Sequence, residues 1–217
     1  DRRQRQMCIR DSIHHKYRVH TIPLLLDNKR ALKKDLLKYV DLFRPGHKLN
    51  TDNPLFSKNP GAFGPGIQCG LSYSDADSIT SLNKIFSTAV LNYHNTISNR
   101  TAIDTYTNSW VFISDPSNRD SNYHNHIQFA SGEVMSSSYT WTYYLEVPNN
   151  CTGDEGKLFF SKDKSDENSI SLFPEEDTLY IFPATLEHRP DLNPNSTNRR
   201  IVLAGNTFLS YQNKTLI

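Results

Sequence analysis

Cysteine is scarce in this chain, and the little there is does not cluster. Its 217 residues hold three, Cys8, Cys69 and Cys151, without a CxxC pair or zinc-ribbon spacing. That excludes a disulfide-dense scaffold and a cysteine-held zinc module, and it fits a reducing compartment with one disulfide at most. Long apolar runs are missing too. The longest, "IPLLL" at 22–26, falls far short of the ~20 residues of a membrane helix. No hydrophobic segment of signal-peptide type is visible, so the expectation is a cytoplasmic protein without a membrane partner. Neither sign of charge dominates: 24 Lys and Arg against 23 Asp and Glu leave a formal net charge of +1. There is thus no electrostatic case for nucleic acid, and the basic opening "DRRQRQMCIR" reads as a solvated tail. Sequons at Asn99, Asn150, Asn195 and Asn213 are expected by chance in a chain so rich in Asn, Ser and Thr.

What is present divides in two. "YRVHTIPLLLD" reads as an opening strand, and "NKRALKKDLLKYVDLF" sets Leu32, Leu36, Leu37, Val40 and Phe43 at helical spacing. Residues 45–77, rich in Pro, Gly, Asn and Ser, read as a long connection that covers or borders something. A second helical period runs through Ile79, Leu82, Ile85, Phe86, Val90 and Leu91, with Asp77 as N-cap. From about residue 103 onward the chain turns to short aromatic and β-branched segments separated by turn clusters such as "DPSNRDSN" and "NPNSTN". That pattern predicts an antiparallel sandwich or barrel with two helices against one face. No internal repeat or domain boundary shows, so residues 1–217 read as one domain: helical support and covering loop over 1–102, β core over 103–210.

The chemistry concentrates in "NYHNHIQF", residues 122–129. Side chains two apart on a strand share a face, so His124 and His126 can converge on one point. His188, in "FPATLEHRP", is the candidate third ligand. Arg200 opens the segment "RRIVLAGN", where a guanidinium can hold a carboxylate in a bidentate grip. Asn206 is placed to offer an amide to a ligand. Trp110, Trp141, Phe159 and Phe182 read as sandwich core. His94 reads as a helix-surface or satisfied core residue, and Arg199 as surface.

The order of these elements resembles the iron- and 2-oxoglutarate-dependent oxygenases, in particular their small prolyl-hydroxylase-like branch of microbes and phages. The resemblance runs from Trp110 through His124, His126, Ser131–Gly132, Tyr143 to Leu145, Gly156, Leu158 and Phe160. It continues through Leu179, Phe182, Pro183 and His188 to Arg200, Ile201 and Asn206, covering residues 105–208. It implies a mainly β fold, a double-stranded β-helix or cupin-like jelly roll with supporting N-terminal helices. It further implies Fe(II) held by His124, His126 and His188, with 2-oxoglutarate as co-substrate and O2 as oxidant. Arg200 would anchor the distal carboxylate, Tyr143 or Tyr144 would add a hydroxyl, and no further catalytic residue is required.

Two departures from the pattern stand out. The broader superfamily carries Asp or Glu where this chain has His126, and three neutral imidazoles leave the full +2 charge on a bound metal. Asp120 and Glu133 lie near enough to supply a carboxylate instead, and rank below His126. Extra residues in "SGEVMSSSYTWTYYL" blur which tyrosine faces the pocket. The implied activity is hydroxylation of an unidentified small-molecule or peptide substrate, releasing succinate and CO2. The alternatives are a three-histidine metal cupin working without 2-oxoglutarate and a non-catalytic jelly-roll binding module.

Overall fold

A six-stranded antiparallel sheet carries both helices on one face and the candidate site on the other. The computed structural model describes residues 17–41, 67–71, 74, 76–114, 122–130, 133–136, 138–147, 156–191 and 200–211. Its elements run β1 (His20–Pro23), α1 (Lys29–Asp41), β2 (Ile67–Gly70), α2 (Asp77–Ile97), β3 (Ala102–Ser114), β4 (Ile127–Ala130) and β5 (Glu133–Ser136). They continue with β6 (Tyr139–Glu146), β7 (Leu158–Ser161), β8 (Ile170–Leu172), β9 (Thr178–Pro183), β10 (Glu187–Pro190) and β11 (Arg200–Tyr211). The large sheet has the order β1-β9-β6-β11-β3-β2, a small sheet the order β10-β7-β8, and β4 pairs with β5 as a hairpin. This is the jelly roll that the family resemblance implied. Among the described residues no helix is long and apolar enough to cross a membrane.

The two helices fold where the apolar period placed them. Leu32, Leu36, Tyr39 and Val40 of α1, and Ile79, Leu82, Phe86, Val90 and Tyr93 of α2, are buried together in the main core. Phe43 lies outside the described residues, as does most of the long connection ahead of β2. One expectation fails at the start of α2. Ala76 is the N-cap, and Asp77 is the first helical residue. The Ala76 carbonyl accepts from the N–H groups of Ile79 and Thr80, both at 2.9 Å. The Asp77 carboxylate therefore sits in the first turn, where the helix dipole favours a negative charge.

Period-two alternation then divides the large sheet into two chemically distinct faces. Trp141, Tyr143 and Leu145 of β6, with Ile201 and Leu203 of β11, point to the helices and belong to the main core. A polar seam crosses that interface. Ser87 Oγ donates to Thr107 Oγ1 at 2.5 Å, Thr107 and Thr207 share a 2.9 Å hydroxyl contact, and the Trp141 indole donates to Thr207 Oγ1 at 3.2 Å. Every polar group buried under α2 in this seam thus has a partner, as burial demands. The residues between them in sequence, Thr140, Thr142 and Tyr144 on β6 and Val202 and Ala204 on β11, face the small sheet and line a cavity.

Gly205 makes the close packing at this core possible. It stands opposite Trp141 in the β6–β11 register and opposite Ser109 in the β3–β11 register. A Cβ there would run into the Trp141 ring and come within 2.9 Å of the Asn108 carbonyl oxygen. Trp141 in turn is pinned by Phe86 at a 4.3 Å ring separation, so it has nowhere to retreat. Gly205→Ala is therefore expected to cost about 1–3 kcal/mol of stability, the usual penalty of overpacking. Urea unfolding measures it, and a midpoint equal to wild type contradicts this account of the core.

Candidate metal centre

Three backbone hydrogen bonds bring the histidines together. The His124 N–H donates to the His188 carbonyl at 3.0 Å, and the His188 N–H donates back to the His124 carbonyl at 2.9 Å. Among the described residues, this reciprocal bridge is the one rung that 122–126 makes as an extended segment; the strand proper, β4, begins at Ile127. The His126 N–H donates to the Ala184 carbonyl at 2.9 Å, tying the second histidine to the turn that precedes β10. Sequence reading put His124 and His126 on a strand. They lie instead on a bridge segment beside the small sheet, which still turns both rings to one side.

The rings meet as a metal would require. One ring nitrogen from each of His124, His126 and His188 lies within 4.8 Å of the others. His126 Nε2 and His188 Nε2 stand 3.2 Å apart. With metal–nitrogen bonds of about 2.1 Å, ligands at right angles are about 3.0 Å apart and tetrahedral ones about 3.4 Å. The observed spacing falls between these values.

The outer nitrogens fix which atom faces inward. Nδ1 of His188 lies 3.0 Å from the Leu186 carbonyl, and Nδ1 of His124 lies 3.1 Å from that of Asn122. A carbonyl only accepts, so each Nδ1 carries the proton and each Nε2 presents a lone pair. His126 Nε2 thus faces the His188 Nε2 lone pair across 3.2 Å, a gap that a bound cation would bridge. Asn206 hydrogen-bonds the His126 ring and also accepts from the Thr140 hydroxyl at 3.1 Å. Trp110 stacks on the other side of His126, ring planes 8° apart and centroids 5.6 Å apart. Trp110 is therefore half-buried cavity wall, not the sandwich core that its sequence suggested, whereas Trp141, Phe159 and Phe182 are buried.

The histidines close one end of a cavity of about 80 Å³ between the two sheets. Arg200 reaches into it from β11, wholly buried, with Nη1 donating to the Asp191 carbonyl at 2.8 Å. Tyr144 lies beside it; burial raises its pKa while the Arg200 charge pulls the other way. Its hydroxyl stays protonated at neutral pH, with the Thr142 side chain in hydrogen-bonding contact.

Tyr143, the other candidate, is not brought to the site. It points to the helix face, packs on Phe86 and donates to Asp177 Oδ1 at 2.9 Å. The alternation in "YTWTYYLEV" carried that signal, since Trp141, Tyr143 and Leu145 form the apolar phase of the strand. None of the thirteen lining residues is acidic. Asp120 lies outside the described residues, and Glu133 is described only in its backbone, as are Phe129 and Val134 beside it. Arg199 is also outside them. His94 is buried and satisfied, its ring nitrogens on the Tyr139 hydroxyl at 3.0 Å and the Arg100 carbonyl at 2.9 Å.

No family model matches the chain, and no curated protein matches it by sequence. Solved structures do match it in shape. A prolyl-4-hydroxylase from Pseudomonas putida is 13% identical, with a TM-score of 0.60 over 90% of this chain and 94% of its own. The viral collagen prolyl hydroxylase of Paramecium bursaria Chlorella virus-1 is 13% identical, with a TM-score of 0.55 over 89% and 90%. HygX from Streptomyces hygroscopicus, solved with nickel and 2-oxoglutarate bound, is 10% identical, with a TM-score of 0.58 over 88% and 82%. At such identities the likeness establishes a shared fold, the one carried by non-haem 2-oxoglutarate oxygenases.

Burial also sets the protonation of the cluster. It pushes the His126 pKa down to about 4, with the neighbouring His124 adding to the effect. Burial likewise lowers His124 and takes His188 well below the ordinary imidazole range. Near neutral pH all three are neutral, the form that binds metal. In the unfolded chain each takes up a proton near pH 6.5, and the native site resists it. Stability is thus fully present above about 6.5 and is lost as pH falls toward 4. The metal-free protein should show an unfolding midpoint that drops from pH 7 to pH 5, with a shallower drop in His126→Gln. Equal slopes in the two proteins contradict the assignment.

Proposed function

We propose that this protein is an Fe(II)- and 2-oxoglutarate-dependent hydroxylase acting on a small-molecule or peptide substrate. The observation that carries the proposal is the convergence of three imidazoles, inner nitrogens forward, on a cavity that the Arg200 guanidinium also lines. His124, His126 and His188 would hold the metal. Imidazole ligands suit iron, and three of them leave the metal's full charge to be balanced by an anion. Among the described residues, imidazole, hydroxyl and guanidinium make up most of the polar lining, without a carboxylate, which favours an acidic co-substrate. The iron, when bound, supplies the redox chemistry by which dioxygen is spent on oxidising the oxoacid to succinate and CO2 and on hydroxylating the substrate.

The chain's own residues bind, orient and exclude water. Arg200, on a central strand, gives a dicarboxylic acid a charge-assisted anchor in the cavity. The Tyr144 hydroxyl donates to the same group. Leu158, Pro190 and Val202 keep the walls between anchor and metal apolar, so charge placed there interacts strongly. The same sheet face runs outward from Phe112 and Trp110 past Asn108 to Tyr106 and Phe208. Those two rings pair at 5.9 Å, and Tyr106 is 67% exposed. This aromatic surface is the approach offered to a substrate.

Anaerobic addition of iron(II) and 2-oxoglutarate to the metal-free protein tests the proposal. The expected result is a weak visible charge-transfer band at one equivalent. In Arg200→Ala it should need at least tenfold more 2-oxoglutarate, consistent with losing a buried charge-assisted contact worth about 1.5–3 kcal/mol. Tight metal binding with no band at any 2-oxoglutarate concentration contradicts it.

A further inference from the structure

The back of the small sheet carries a side-chain network that grips the neighbours of the metal ligands. Because His124 and His188 point inward, Tyr123 and Asn125 on one side of the bridge, and Glu187 and Arg189 on the other, point outward. The two sides are joined. Asn125 Nδ2 donates to Glu187 Oε1 at 2.6 Å. Tyr123 Oη donates to Asp166 Oδ1 at 2.8 Å, and Arg189 Nη2 donates to that same oxygen at 3.1 Å. The Arg189 guanidinium also lies 4.2 Å over the Phe159 ring of β7 and 5.3 Å from the Tyr123 ring. Its other branch reaches Asp191 Oδ1 at 3.4 Å, and the carbonyl of that same Asp191 receives Arg200.

Arg189 is therefore tied at once to the chain beside His124, to the strand beside His188 and to the residue that seats Arg200. We infer that Arg189 is a positioning residue for both halves of the site, holding the His124–His188 bridge in register and the Arg200 acceptor in place. Tyr123 and Asp166 act as its arm to the other strand. The inference rests on the metal-site reading above. It concerns the affinity and geometry of the site and leaves the chemistry at the metal to the histidines. The Arg189–Asp166 pair is partly exposed and worth little as a bare ion pair. Its consequence lies in what it orients: contacts behind metal ligands typically control affinity by 10–100-fold.

The test uses Co(II) alone as probe, at a temperature far below unfolding, on wild type, Arg189→Met, Arg189→Lys and Asp166→Asn. Methionine keeps the stem over Phe159 and removes the donors. Lys29→Met, which breaks ion pairs to Glu176 and Asp177 instead, is the control. The expected result is a roughly 10–100-fold loss of Co(II) affinity in Arg189→Met, with a changed visible d–d spectrum. Arg189→Lys should recover part of that loss, Asp166→Asn should shift in the same direction, and the control should not shift. If Arg189→Met fails to fold, Asp166→Asn, at an exposed position, carries the test. Affinity within twofold of wild type and an unchanged spectrum, even with a lower melting temperature, overturn the inference and leave Arg189 a stabilising contact only. Wild-type protein that binds no Co(II) overturns the metal-site reading and this inference with it.

Discussion

The site depends on one pair of backbone hydrogen bonds, the reciprocal bridge between His124 and His188. Register in a β pair is all-or-none: a slip of one residue turns every side chain to the opposite face. With the bridge in place, both imidazoles face the cavity and their neighbours face away. A slip would send Tyr123 or Asn125 inward and break up the histidine cluster. The histidine cluster is thus an outcome of pairing, and side-chain hydrogen bonds refine it. The carbonyls of Asn122 and Leu186 choose the tautomer, Asn206 and Trp110 fix the His126 ring, and burial keeps the rings unprotonated.

The large sheet divides labour in the same way. One phase of its alternation supplies Trp141, Tyr143, Ile201 and Leu203 to a core shared with both helices. The other supplies Thr140, Thr142, Tyr144, Arg200 and Val202 to the cavity. The helices accordingly have no functional group in the site. They bury the back of the sheet, and the sheet holds Arg200 and Asn206 at fixed heights above the histidines. A rigid strand is a better mount for such groups than a loop, because a displacement of 1 Å can cost a large factor in rate.

Much of this was legible in the sequence, for physical reasons that differ by element. The helices were visible because their apolar stripes recur at 3.6 residues, and the β half because short aromatic segments alternate with turns. The histidine constellation was visible only as an ordered motif; no periodicity links His126 to a residue 62 positions away. What stayed hidden depends on pairing. Nothing local shows that Trp110 stacks on His126, because its neighbour is set by the fold and an isolated tryptophan reads as core. The choice between Tyr143 and Tyr144 was open to the same alternation argument that now explains it. The outer network of Tyr123, Asp166 and Arg189 joins a bridge segment, a turn and a strand, and no spacing rule connects them.

The central claim is that three histidines, and no carboxylate, hold the metal. X-ray absorption at the iron edge of the anaerobic iron(II) protein tests it most directly. The account predicts an imidazole multiple-scattering pattern that fits three histidines at about 2.1 Å, falling to two in His126→Ala. A fit to two histidines in the wild type, with no change on replacing His126, would contradict it and return the third position to a carboxylate.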